Sequence, residues 1–258
     1  MNLQTSLMGV MSASRDMSVV SNNLANAMTS GFKRSTSQFS THQGLNGESV
    51  TVSSKEGPLK STQSSFDFAL TGVGNFVFGE ANPVAGTEPS LSFSRAANLK
   101  IGLDGTLING AGQPLMGLTL SGGGTPKAIN ILPALSGNLS NLTSITVDAA
   151  GSISVLNNKG ITTKIGSIAV ARFSNEGGLS NIGGSMVGET DRSGPPSFYT
   201  AGKGGTGEIR QGALQEANVD ITQELLRMIQ LQQAYNSNSR GLQSVAEMMR
   251  STVESLTR

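Results

Sequence analysis

With 258 residues and 18 basic against 17 acidic side chains, the chain has the length for a substantial core, a net charge of +1, and no clustered basic surface of the kind that binds polyanions. It has no cysteine, which excludes disulfides and thiolate chemistry, while 33 glycines beside only 4% aromatic residues point to short strands joined by tight turns. No stretch approaches the roughly 20 apolar residues of a membrane span, and Asn2, Gln4, Thr5, Ser6 and Ser12 interrupt any signal-like apolar run, so export would need a route that reads no cleaved signal.

Residues 3–27 are predicted as a helix, because Leu3, Val10, Met17 and Leu24 recur every seven positions, flanked by Leu7, Ala13 and Val20. Asn22, Asn23 and Asn26 crowd its end, where amides can satisfy orphan backbone groups or reach neighbouring chains. Gly31 can take the left-handed conformation that closes a helix, and Phe32 and Phe39 are expected to anchor the next segment on a helix pair or a neighbour. Residues 35–65, rich in Ser, Thr and Gln and broken by Gly57-Pro58, read as an extended arm.

From 66 to 210 the pattern changes to short β segments, predicted at 66–70, 75–78, 91–94, 99–101, 106–108, 128–132, 144–147, 152–156, 162–173 and 185–190. Asp104-Gly105, Asn109-Gly110, Ala150-Gly151 and Lys159-Gly160 supply turns between them. Residues 193–207, rich in Gly and Pro, are expected to be a linker.

The C-terminal segment again has a seven-residue period. Ile221, Met228, Tyr235, Leu242, Met249 and Leu256 share one heptad position, with Leu231 and Val245 three residues on and Leu225, Ala246 and Val253 beside them. Asp220 and Gln223 offer a capping box, and a helix from there to Arg258 would be roughly 57 Å long at 1.5 Å per residue. One such helix would ordinarily pack on a domain core; two, at the two termini, point equally to helices that pair with each other. Glu224, Gln232, Asn238, Ser239 and Thr252 interrupt the seam; such polar residues weaken an isolated pair but can fix register or partner choice. The expected fold is α+β. Residues 1–34 and 211–258 would form a coiled-coil domain, 35–65 an arm, and 66–210 a mainly antiparallel β domain.

No catalytic constellation emerges. The sole histidine, His42, stands in a polar segment with no Cys or second His to complete a zinc site and no Gly-x-Ser-x-Gly elbow. The glycine runs 122–127 and 202–207 lack phosphate-loop spacing. Scattered carboxylates and few aromatic platforms argue against a glycosidase. No catalytic residue, cofactor or metal site is therefore expected.

Several motifs do resemble a family. Ser21-Asn22-Asn23-Leu24-Ala25-Asn26 followed by Ser30-Gly31-Phe32-Lys33-Arg34 and Phe39 is similar to the N-terminal signature of bacterial flagellar rod and hook axial proteins. Asn218-Val219-Asp220, Glu224-Leu225, Met228-Ile229 and Ala234-Tyr235 resemble the C-terminal one, and interior segments such as Asp67-Phe68-Ala69-Leu70 match as well. The resemblance implies a structural subunit of the axial tube that transmits torque. Its coiled-coil inner domain would stack helically around the export channel, with the β body outside.

It also implies passage through the flagellar type III apparatus, contacts with adjacent rod, hook or junction proteins, and a place in the periplasmic rod or proximal hook. Gln233 stands where many relatives carry Arg, and Ala97 where a turn glycine is common. Two alternatives stay open: the hook protein proper, or a secreted β-rich adhesin-like or carbohydrate-active protein with helical ends.

Overall fold

The computed structural model describes the chain except residues 1–2, 43–44, 81–89, 120–124, 184 and 257–258; for residues 3, 38–42, 45–49 and 256 it describes the backbone alone. The chain divides into two compact units. One holds Met1–Ala27, Arg34–Ser53 and Val219–Arg258; the other holds Met28–Lys33 and Ser54–Asn218.

The first unit contains helix α1 (Leu3–Ala25), strands β1 (Ser35–His42) and β2 (Leu45–Val52), and helix α2 (Ile221–Leu256). At 36 residues, α2 is about 54 Å long. Its start is set by Asp220, whose Oδ1 accepts hydrogen bonds from the backbone N–H of Thr222 at 2.9 Å and Gln223 at 3.2 Å. At the end of α1, the Asn26 side-chain amide donates to the Asn22 carbonyl at 2.9 Å, satisfying an acceptor that the helix leaves open. The expected arm begins instead as an antiparallel hairpin, with Ser35 opposite Val52 and His42 opposite Leu45. Its Ser/Thr-rich strands lack a strong apolar alternation, so pairing depends on the backbone ladder and escapes a pattern search.

All strand pairings in the second unit are antiparallel among the described residues, in sheets of ten, four and two strands. Thr162–Arg172 is the axis of the largest sheet and pairs with Ser152–Asn157, Ser197–Thr200, Asn75–Phe78 and Met116–Leu118. Alternation decides its packing: Ile168 and Val170 enter a core with Phe68, Phe76 and Phe78, whereas Ala169 and Ala171 enter a second core with Val77, Phe93 and Phe173. The Phe93 and Phe173 rings meet edge to face with centroids 4.8 Å apart.

Two sequence expectations need correction here. The segment 128–132 is not one continuous strand: Lys127–Ala128 pairs with Met116–Leu118, Asn130 forms an isolated bridge to Thr106, and Leu132–Leu135 is a 3-10 turn, because Pro133 has no N–H to give a ladder. Nor is 193–207 merely a linker, since Ser197–Thr200 adds a strand to Thr162–Arg172. Five short strands, Leu59–Ser61, Met116–Leu118, Ser180–Gly183, Glu208–Gln211 and Ala213–Gln215, lay outside the expected set; each is defined by its partner more than by its own residues.

The segment Met28–Lys33 joins this second unit through Gly31 and Phe32. Gly31 has φ +76°, and a Cβ there would lie 2.9 Å from both the Ala96 Cβ and the Ala96 nitrogen. Its N–H donates to the Gln215 carbonyl at 2.7 Å, and the Phe32 side chain is fully buried. Nearby, buried Arg95 donates from Nε to Gln215 Oε1 at 3.2 Å and from Nη1 to the Gly74 carbonyl, and pairs with Glu56 at 3.2 Å. Burial pushes the Arg95 guanidinium below its ordinary pKa, against the pull of Glu56 and Glu176.

Lys33 donates to the Lys55 carbonyl, and its pKa falls from 10.5 to about 8, first through burial and then through Arg95, with Glu176 and Glu56 opposing. Between those two values the unfolded chain holds a proton that the folded chain has released, so this lysine makes stability rise with pH from about 8 to 10.5. Thermal midpoints of the unaltered chain and of Lys33→Met, measured from pH 7 to 10.5, are therefore expected to diverge above pH 8 in favour of the unaltered chain. Parallel curves would show that Lys33 is not the titrating group.

Candidate assembly interface

The helix pair of the first unit is antiparallel. Asn23 on α1 meets Glu224 on α2, while Gly9, fourteen residues earlier, meets Asn238, fourteen residues later. A Cβ on Gly9 would come within 2.6 Å of the Asn238 side-chain amide, so the missing side chain is what admits that residue.

The positions that face inward are polar or small to an unusual degree. On α1 the buried residues are Ser6, Ala13, Val20 and Asn23; on α2 they are Glu224 and Val245, with Leu231 and Asn238 half-buried on the same heptad position. The buried phase of α2 thus runs through 224, 231, 238 and 245, three residues on from the position holding Ile221, Met228, Tyr235, Leu242 and Met249. Glutamate at 224 and asparagine at 238 signal this phase in the sequence, although apolar counting reads them as interruptions.

Asn23 is completely buried and clamps β1: its Nδ2 donates to the Ser35 carbonyl at 2.8 Å while its Oδ1 accepts from the Ser35 N–H at 2.9 Å. The same Nδ2 lies 3.4 Å from Glu224 Oε2, and Arg34 Nε donates to Glu224 Oε1 at 2.5 Å. The Glu224 side chain is 1% exposed, and its carboxylate oxygens are met by Arg34 and Asn23 rather than by water. One carboxylate and one amide thereby join α1, α2 and the first residues of the hairpin.

Among the other residues singled out from the sequence, Val10, Met17 and Leu24 on α1 and Met228, Leu231 and Leu242 on α2 are half-buried, and Val245 is buried. Asn22 is exposed and Asn26 half-buried. Ile221, Leu225, Tyr235 and Met249 are exposed, as are Leu226, Ile229, Met248 and Val253, so much of the apolar surface of α2 faces away from α1. Ile221, Leu225 and Ile229 come at four-residue intervals and share a face. Phe32, in the second unit, is fully buried, and the side chains of Leu3, Phe39 and Leu256, like that of His42, lie outside the described residues.

Comparison with known proteins bears on both helices. Residues 3–33 match the pattern of the family described as "Flagella basal body rod protein", and residues 210–255 match "Flagellar basal body rod FlgEFG protein C-terminal". Over 261 residues, covering 91% of each chain, the sequence is 30% identical to the flagellar basal-body rod protein FlgG of Buchnera aphidicola subsp. Acyrthosiphon pisum (strain APS). The chain belongs to the flagellar basal-body rod protein family.

A second rod relative, FlgG of Bacillus subtilis (strain 168), is 27% identical and aligns over 98% of this chain and 97% of its own length. The hook protein FlgE of Caulobacter vibrioides matches only locally, at 33% identity over 42% of this chain and 18% of the hook protein. End-to-end similarity thus favours the rod over the hook, and the chain is a structural subunit of the flagellar basal-body rod, in a family whose matched patterns are built on both terminal helices.

Proposed function

We propose that this rod subunit polymerises by packing the outward apolar face of its terminal helix pair against neighbouring copies, and that it leaves the cytosol through the flagellar type III apparatus. The observation that carries this reading is the mixed seam of the helix pair: inward positions hold Ser6, Gly9, Asn23, Glu224 and Asn238 among Ala13, Val20, Leu231 and Val245, while the large apolar residues Ile221, Leu225, Leu226 and Ile229 face out. A helix that needs its apolar face only within one chain would be built the other way round. Burying that face between subunits removes it from water and makes a continuous helical wall, which suits a tube that carries torque. The terminal subunits of such a tube would meet adjacent rod, hook or junction proteins through the same surfaces.

An epitope-tagged copy tests both halves. It is expected in basal bodies isolated from wild-type cells and absent from those of export-deficient cells, where it stays cytosolic. Its absence from basal bodies of motile wild-type cells that express it would overturn the proposal.

A further inference from the structure

We infer that the buried Asn23, Arg34 and Glu224 cluster sets the register of the terminal helix pair. This proposal rests on contacts within one chain and stands apart from the question of what the outer face binds. A seven-residue repeat on both helices makes displacements of one heptad the natural competitors of the native alignment. The apolar residues discriminate poorly among them, because only Ala13, Val20 and Val245 are fully buried apolar groups, and Val10, Met17, Leu24, Met228, Leu231 and Leu242, at most half-buried, recur with the same period in every alignment.

The polar residues discriminate in both directions. Moving α2 by one heptad so that Leu231 comes level with Asn23 takes Glu224 away from Arg34 and leaves the amide facing a leucine. Moving it the opposite way brings Glu224 level with Asp16, a half-buried carboxylate that accepts a bond from the Ser37 hydroxyl, and sets like charges together. Gly9 adds a steric element, since the native alignment seats the Asn238 amide where α1 carries no side chain. Each misalignment therefore strands a buried polar group, whereas the native one satisfies all three.

The absence of cysteine from the chain makes the register directly readable. Met17 and Gln232 line one shallow groove, so Met17→Cys with Gln232→Cys reports the native alignment, and Met17→Cys with Ser239→Cys reports a one-heptad displacement. In the full-length chain, a short thiol-bridging reagent is expected to link the native pair at least about tenfold faster than the displaced pair, a ratio set by the cost of one stranded polar group.

Adding Asn23→Leu and Glu224→Leu is expected to bring the two rates close together while circular dichroism shows the helix content retained. Glu224→Gln, which keeps an acceptor for Arg34, is expected to preserve the native preference. An undiminished preference in the double-leucine chain would overturn the assignment. So would equal rates accompanied by loss of helix, because the cluster would then hold the helices folded without choosing between alignments. Polymer formation, scored separately, reports on the outer face alone.

Discussion

Replacing Leu225 and Ile229 together by aspartate is expected to abolish polymerisation while leaving the monomer folded. Both side chains are about half exposed in the single chain, at 44% and 51%, so two carboxylates there remain hydrated and cost the monomer little. In a tube whose subunits bury this face, the same carboxylates would be desolvated at every interface, and the penalty would repeat with each copy added.

Negative-stain microscopy of the purified protein at rising concentration, beside circular dichroism of the dilute protein, separates the two states. The unaltered chain should give polymers and the variant none, with the same helix content. Normal polymers from the variant would place the interface elsewhere on the molecule.

Phe32→Ala is expected to cost the folded chain about 3–5 kcal/mol, the range for removing a fully buried phenylalanine ring. Phe32 is 1% exposed, and its flanks are tied down: the Gly31 N–H bonds to Gln215, and the Asn218 N–H to the Phe32 carbonyl. The ring therefore sits in a frame that cannot easily collapse onto the cavity. Urea unfolding should show a lower midpoint at an unchanged slope, with Phe32→Leu losing much less. A loss below about 1 kcal/mol, the level of surface substitutions, would mean that the ring is not a core residue.

Much of the architecture was legible because it is written in local periods. Heptads at both ends marked two long helices, Asp220 marked where the second begins, and the four Gly-bearing turns each close the hairpin or loop at which they stand. The motifs around Asn22, Asn23 and Glu224 also pointed to the family before any geometry was known.

The inward face of the helix pair was harder to read. Apolar counting favours the heptad position of Ile221, Tyr235 and Met249, yet these are exposed, and the position of Glu224 and Asn238 turns toward α1. Periodicity reveals that a helix has a face suited to burial; it does not reveal whether the same chain or another one buries it. A buried glutamate likewise reads as a solvent-facing residue until Arg34 and Asn23 are seen beside it.

By itself, then, the sequence determined the two terminal helices, the β-rich middle and the family, because local propensity, turn chemistry and short motifs depend on neighbours along the chain. Only the tertiary structure decided that residues 35–52 fold back as a hairpin, that 197–200 complete a sheet, and that Asn23 and Glu224 are buried in the helix seam beside Val20 and Ala13. Those outcomes depend on partners far away in sequence: Ser35 is ordered by Asn23, Glu224 by Arg34, and Ser197–Thr200 by a strand some thirty residues earlier. A hydrogen-bonding group with no strong local preference takes whatever conformation its distant partner allows.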